Sequence, residues 1–323
     1  MSRVFVTGAY GLVGTWLVDT LLDRGDEVTV LRRDGSGASA LALDGLEARC
    51  TVVTGDVCDA DLIERALGEH DIDTVFHLAA QSLVETALRS PLSTFEANVR
   101  GTWTLLDVCR RRQVGRVVTA ASYKAYGAHD RLPYREDFAL QARYPYDVSK
   151  AATDLIARSY FHTYGLPVAV TRFANLYGGG DLNFSRLVPE AAAAAIRGRA
   201  PVIRSDGTPE RDFLHVEDAV RAYLAIADAL GDADGGGAAG EAFNAGGGEP
   251  HSVLEVVGLV CRAAGTEVEP DIRGTGTPEG EIDRQYVDAG KLRELTGWSP
   301  QVGLEEGLAR TVEWYRRHPD LLP

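Results

Sequence analysis

Basic residues, cysteines and long apolar runs are scarce in this 323-residue chain. Its 33 lysines and arginines are outnumbered by 47 aspartates and glutamates, for a formal charge of −14. That balance argues against a nucleic-acid partner, which needs a basic face. The four cysteines, Cys50, Cys58, Cys109 and Cys261, have neither metal-ligand spacing nor the density of a disulfide scaffold. Seven histidines are scattered singly, so no metal site is expected. No stretch is apolar for long enough to span a bilayer, so no membrane partner is expected. At the start, Arg3-Val4-Phe5-Val6 runs directly into a glycine turn and does not resemble a signal peptide. The expectation is a cytoplasmic protein.

The chain does have alternation. Short β-branched runs at Val4–Val6, Val28–Leu31, Cys50–Thr54, Thr74–His77, Arg116–Ala121 and Val168–Arg172 are separated by longer helical patterns. That rhythm predicts an α/β fold, a doubly wound parallel sheet with a smaller C-terminal lobe. Helical segments are expected around Pro91–Gln113 and across Tyr146 and Lys150, and later at Leu187–Arg197, Val216–Leu230, Ser252–Ala264 and Gly303–Arg317. Phe243-Asn244-Ala245-Gly246 reads as a strand end and Gly231–Gly240 as a glycine-rich, mobile surface loop. The change of lobe is placed near Asn175, with some later segments returning to the sheet. This gives a dinucleotide-binding domain over 1–174 and a mainly substrate-binding lobe over 175–323.

Gly8-Ala9-Tyr10-Gly11-Leu12-Val13-Gly14 lies between the first strand and a helix. Glycines there let backbone N–H groups approach a pyrophosphate at the helix N-terminus, the arrangement of a Rossmann-type dinucleotide site. The second strand ends in Val30-Leu31-Arg32-Arg33. Two guanidiniums there favour the 2′-phosphate of NADP over NAD, because they hold a phosphate in a charge-assisted fork. Asp34, twenty residues beyond Gly14, is the competing candidate for a ribose hydroxyl. Asp56 and Val57 follow the third strand, where an acid accepts from an adenine amine or simply closes a turn.

Tyr146 and Lys150 are four residues apart, on one face of a helix. A phenol that takes an alcohol proton must ionise, and a nearby ammonium favours the ionised form. A unit charge at ~4 Å in an effective dielectric of ~20 gives about 4 kcal/mol, enough to bring a phenol from ~10 to near neutrality.

With these motifs in place the chain resembles extended short-chain dehydrogenases/reductases of the NAD-dependent epimerase/dehydratase family, which act on nucleotide sugars. The matching residues are Gly8/Gly11/Gly14, Gly55-Asp56-Val57, His77-Leu78-Ala79-Ala80, Asn98-Val99 with Gly101-Thr102, Ser122, Tyr146/Lys150, Arg172 to Gly178, Arg211-Asp212-Phe213, and Gly297-Trp298-Ser299-Pro300. The resemblance implies that Tyr146 is base and acid at the sugar O4, with Ser122 on the same oxygen and Lys150 on the nicotinamide ribose. It implies cofactor contacts from Gly8, Tyr10, Gly11, Leu12, Val13, Gly14, Arg32, Arg33, Asp56, Val57, Leu78, Ala79, Ala80, Asn98, Ala120 and Phe173. On the substrate side it implies Gln81 and Ser82 near the sugar, Asn175 and Arg211 on the diphosphate, and Arg186 and Leu187 nearby. A tightly held NAD(P), a nucleotide-diphosphate sugar and a homodimer through the Pro91–Gln113 and Tyr146–Tyr164 helices complete the implied picture.

Oxidation at C4 leaves a 4-keto sugar with three outcomes: epimerisation, 4,6-dehydration or release by a reductase. Sugar 4,6-dehydratases carry an acid at the position of Tyr123 and a Glu or Lys base at that of Lys124, and the stretch around Gly179–Asp181 and Arg186–Pro189 resembles the CDP-glucose 4,6-dehydratase branch. Here a phenol replaces the acid, and a phenol of pKa ~10 donates weakly to a leaving hydroxyl. The leading expectation is therefore an epimerase. A dehydratase using Lys124 as the C5 base is the alternative, with a 4-ketoreductase behind both. From another class comes a catalytically silent NADP-sensing regulator, against which the retained Ser122, Tyr146 and Lys150 argue.

Overall fold

The computed structural model describes residues 1–33, 39–231, 237–277 and 281–323. Asp34 and the centre of the Gly231–Gly240 loop lie outside the described residues. Six strands, β1 (Arg3–Thr7), β2 (Glu27–Arg32), β3 (Thr51–Thr54), β4 (Thr74–His77), β5 (Arg116–Ala120) and β6 (Val168–Phe173), fall where the apolar runs predicted. Beyond β6 come β7 (Asn175–Tyr177), β8 (Val202–Ile203), β9 (Glu210–His215) and β10 (Ala242–Ala245), then the short β11 (Pro250–Ser252), β12 (Asp271–Ile272) and β13 (Arg284–Gln285).

The main sheet has seven strands in the order β10-β6-β5-β4-β1-β2-β3. All neighbours are parallel. Both faces are covered, so the central strands are apolar throughout rather than alternating. On one face Leu17, Val18 and Leu21 of helix Leu12–Asp23 pack with Val220, Tyr223 and Ile226 of helix Val216–Leu230. On the other, Ile63, Leu67, Leu105, Val108 and Ala157 close the core. The strand order reverses between β1 and β4, and the crevice of such a sheet lies at that reversal, beyond the carboxyl ends of the strands. The Gly8 turn after β1 and Leu78–Ala80 after β4 therefore face each other across it.

The remaining strands form two smaller sheets: β9 takes β11, β13 and β7 as partners, and β12 pairs with β8. Helices Leu187–Ile196, Val253–Ala263 and Leu304–Arg317 pack a separate core that includes the buried Ala191, Ala192, Ala193 and Ala195. None of the described helices is long and apolar enough to cross a membrane.

The Pro91–Gln113 segment departs from a single regular helix. It runs as Pro91–Phe95, a wider π-type turn at Glu96–Arg100, and Gly101–Arg111. Such turns are uncommon and cluster near functional sites. The turn carries Asn98, whose amide lies 2.8 Å from Ser149 Oγ and 3.0 Å from the Gln81 carbonyl.

His77 ends β4 inside the core, 2.8 Å from Thr7 Oγ1 and 3.0 Å from Thr102 Oγ1. Burial, helped by the nearby Lys150 charge, pushes its pKa down to about 3. From pH ~6.5 downward the unfolded chain therefore binds a proton that the folded one refuses, so stability falls with pH by about 1.4 kcal/mol per unit until about 3. His77→Gln should flatten that acid slope in denaturant midpoints measured from pH 6.5 to 4. Asp147 and Asp212, both pushed up to about 6 mainly by burial, act with the opposite sign in the same range but are common to both proteins.

Candidate active site

The crevice is a cavity of about 820 Å³ reached from both lobes. At one end lie Gly8, Gly11, Leu12, Val13 and Gly14. Gly8 has a φ of +77°, and a Cβ on it would sit 2.6 Å from the Leu78 carbonyl carbon, so the turn and the β4 loop touch backbone to backbone. Gly11 starts helix Leu12–Asp23 with no side-chain cap. Its first N–H groups are left to a ligand or water, and a group with negative charge suits that end of the helix. An uncapped helix start and a turn without side chains fit a pyrophosphate.

Ser122, Lys124, Tyr146 and Lys150 line the same cavity. Tyr146 and Lys150 lie on helix Pro145–Tyr164, while Ser122 follows β5 and caps the short turn Tyr123–Tyr126 by accepting from the Lys124 N–H at 3.2 Å. Lys150 Nζ donates to the Ala120 carbonyl at 2.8 Å, and burial pushes its pKa down to about 8. The Tyr146 phenol goes the other way, up to about 12, because burial outweighs the lowering effects of Arg186 and Ser122. The sequence arithmetic counted charge before desolvation, and burial of the phenol opposes it here.

Leu78, Ala80, Ala120 and Phe173 also line the cavity, as do Ser82, Asn175, Arg186, Leu187 and Arg211 toward the second lobe. Arg186 reaches Asp181 at 2.9 Å and, across the cavity wall, Ser82 Oγ of the loop after β4 at 2.9 Å. Arg211 is fixed by the carbonyls of Glu210 and Asp283, both at 2.9 Å.

Other expected contacts lie outside the lining. Asn98 is 1 % exposed, with its carbonyl oxygen taking the Gln81 N–H at 2.7 Å, so its amide positions the β4 loop on the Tyr146 helix. The Gln81 side chain is consumed by Leu83 and Thr94. Ala79 gives its N–H to Thr7 Oγ1. Asp56 accepts from Cys58 N–H at 2.8 Å in a local turn, and Val57 is buried in the core. Tyr123 is corrected most clearly. It is 1 % exposed, its ring stands edge-on to Tyr134 at 6.5 Å, and its hydroxyl has no hydrogen-bond partner among the described residues. Burial raises its pKa further, so it does not replace a carboxylic acid at the sugar.

Arg32 is also engaged. Its guanidinium bonds Glu47 at 2.7 Å and Thr54 at 3.2 Å, and Tyr10 donates to the same Glu47 oxygen at 3.0 Å. Arg33 is exposed.

Among the cavity residues that the sequence did not single out is Glu281. Glu281 Oε2 lies 3.3 Å from Lys124 Nζ and 3.2 Å from Arg211 Nη2. Burial raises the Glu281 pKa, but Lys124 and Arg211 outweigh it, leaving the carboxyl below its usual range.

This crevice, with its glycine turn, Ser–Tyr–Lys side and arginines, defines a dinucleotide-dependent enzyme of the short-chain dehydrogenase/reductase class. The GDP-mannose 4,6 dehydratase family model matches residues 5–311. The dTDP-glucose 4,6-dehydratase of Streptomyces griseus is 34% identical over 324 residues, 98% of this chain and 95% of that protein. Among solved structures, the UDP-glucose 4-epimerase of Thermotoga maritima with UDP-glucose matches with a TM-score of 0.90 and 29% identity, covering 98% of this chain and 99% of that one. A Streptomyces venezuelae dTDP-glucose 4,6-dehydratase with NAD bound matches with a TM-score of 0.88 and 34% identity, covering 98% of each chain. The chain belongs to the NAD-dependent extended short-chain dehydrogenase/reductase epimerase/dehydratase family and is a nucleotide-sugar-modifying enzyme.

Proposed function

We propose that the protein is a nucleotide-sugar 4,6-dehydratase. The observation that carries this reading is the Lys124–Glu281 ion pair, set in the cavity that also holds Ser122, Tyr146 and Lys150. Epimerisation needs only oxidation and re-reduction at C4. Dehydration also needs a proton acceptor at C5 and a donor at the C6 hydroxyl. The sequence put the epimerase first because position 123 lacks a carboxylic acid, and Glu281 supplies a carboxylate from elsewhere in the chain. The whole-chain similarity to a UDP-glucose 4-epimerase keeps epimerisation as the second reading.

In this mechanism the segment 1–174 carries the cofactor and 175–323 mainly the nucleotide sugar. Gly8, Gly11, Leu12, Val13 and Gly14 would hold the pyrophosphate, and Lys150 the nicotinamide ribose. When bound, the nicotinamide would supply the redox chemistry, as acceptor of the C4 hydride and its donor to C6 after water is lost. Tyr146 accepts the O4 proton while Ser122 holds that oxygen, and Asn175, Arg186 and Arg211 draw in the diphosphate. Ser82 faces the sugar.

The cofactor in this reading is NAD, retained through turnover because each cycle regenerates it. Glu47 neutralises Arg32, and a 2′-phosphate at that strand end would meet its carboxylate. Glu47→Gln should tighten NADP binding about tenfold, equivalent to ~1.4 kcal/mol, with little change for NAD. Fluorescence titration of the stripped protein measures this, and equal affinities in the unmutated protein would refute the preference. Leu92, Trp103, Leu155 and Tyr164 leave large apolar surfaces exposed on the adjoining 91–111 and 145–164 helices. We take this face as the homodimer contact, and a stable monomer in light scattering would remove it. The reaction itself is tested by incubating the purified protein with UDP-, GDP-, CDP-, ADP- and dTDP-glucose. Loss of one water from one donor is expected, whereas unchanged mass with a new sugar NMR pattern would select the epimerase.

A further inference from the structure

Glu281 shares the cavity with Lys124 but comes from a late segment, between β12 and β13. One of its oxygens takes both Lys124 Nζ and Arg211 Nη2. As an ion pair the contact puts its protons on the two cations and leaves the carboxylate as an acceptor only. The resemblance to sugar dehydratases would make Lys124 the base, but in this contact Lys124 Nζ is the donor and Glu281 Oε2 the acceptor. Arg211, anchored on two carbonyls, is the residue assigned above to the diphosphate. A substrate that engages that guanidinium competes with Glu281 for it, leaving the carboxylate with Lys124 alone. Behind the pair sits Asp147, a buried carboxyl that feels both Lys124 and Glu281 and whose pKa is pushed up to about 6 by burial.

We infer that Glu281 is the catalytic base of water elimination, taking the C5 proton while the Lys124 ammonium protonates the departing C6 hydroxyl. This rests on the 4,6-dehydratase reading. Once C4 is a ketone, the C5–H bond breaks toward Glu281, its electron pair becomes the C5–C6 double bond, and the C6–O bond breaks toward oxygen. The hydroxyl leaves as water with the Lys124 proton. Elimination is redox-neutral, and the proton that Glu281 takes from C5 exchanges with solvent before one is returned to C5. The O4 proton accepted by Tyr146 makes up the one that leaves in water.

The experiment compares the unmutated protein, Glu281→Gln, Lys124→Met and Tyr146→Phe in D2O, each with the nucleotide-linked glucose that the unmutated protein accepts. Three quantities are read: water loss by mass spectrometry, deuterium at C5 by NMR, and absorbance of the reduced nicotinamide. Circular dichroism and cofactor content show whether each variant folds. Both Glu281→Gln and Lys124→Met should eliminate water roughly 10²–10⁴-fold more slowly while still reducing the nicotinamide. Deuterium at C5 separates their roles: Lys124→Met should exchange C5 without losing water, and Glu281→Gln should do neither. Elimination by Glu281→Gln within a few-fold of the unmutated rate would overturn the assignment. So would C5 exchange that survives in Glu281→Gln and vanishes in Lys124→Met. Should Tyr146→Phe still reduce the nicotinamide, or the unmutated product keep its mass, the underlying function fails instead, and the inference with it.

Discussion

Tyr146→Phe should cut turnover roughly 10²–10⁴-fold, the typical contribution of a positioned proton acceptor, and leave the cofactor bound. The substitution keeps the ring, which is buried against the cavity wall, and removes only the oxygen. The glycine turn is a separate feature, so cofactor stoichiometry should not change. The structure also sets the sign of the pH dependence. Burial holds the free phenol at about 12, so at neutral pH it is protonated, and its fraction as base increases with pH. Unmutated kcat/KM should climb from pH 6 to 9, and the residual activity of the variant should lack that rise. Assaying both proteins across that range, with cofactor released by acid and counted, is the measurement. A variant retaining a tenth of the activity, or one emptied of cofactor, would show that the phenol is not the O4 base.

The strands of the main sheet were legible because a parallel strand covered on both faces must be apolar at nearly every position. Val117 and Val118, or Ala169 and Val170, carry their assignment without help from neighbours. Helix starts were nearly as clear. Ser252 accepts from the Glu255 N–H at 3.1 Å and begins the helix where the sequence placed it. What escaped depends on partners distant in the chain. Arg32 looked like a phosphate fork until folding brought Glu47 to it, and Asn98 and Gln81 looked available until the first was found bonded to the Gln81 backbone and the second to Leu83 and Thr94.

The short turn after Ser122 mattered most. Tyr123 and Lys124 are adjacent, yet the turn sends one into an aromatic cluster and the other into the cavity. No periodicity marks that choice. Glu281 lies in a stretch with neither helical nor strand pattern, and only the β9–β13 pairing brings it to Arg211. Composition did hold a hint for Lys124. Of the 33 lysines and arginines only Lys124, Lys150 and Lys291 are lysine, and two of these enter the cavity. A compact ammonium with three donors, in a chain otherwise built on guanidiniums, points to proton chemistry, which arginine performs poorly.

Gly14→Ala should destabilise the protein and empty it of cofactor, and Gly11→Ala should do only the second. A Cβ on Gly14 would overlap the Gly8 carbonyl oxygen and lie 2.6 Å from Ala9 Cα and 2.8 Å from the Ala9 carbonyl carbon. All three are backbone atoms, so no rotamer relieves the crowding and the turn has to lift away from the helix. Overpacking of this kind costs about 1–3 kcal/mol, and the displaced N–H groups lose the geometry that a pyrophosphate needs. Gly11 is the contrast. Its φ of −88° suits any residue, and an added Cβ would meet only the Gly8 oxygen at 3.5 Å, an ordinary contact. Alanine there should leave the melting temperature within about a degree, since conformationally compatible Gly→Ala changes are mild, while blocking the close approach of the phosphates. Melting curves of the stripped variants and NAD titrations test the pair together. If Gly11→Ala binds NAD as tightly as the unmutated protein, the helix N-terminus is not where the pyrophosphate lies; if Gly14→Ala melts unchanged, the turn is looser than its contacts require.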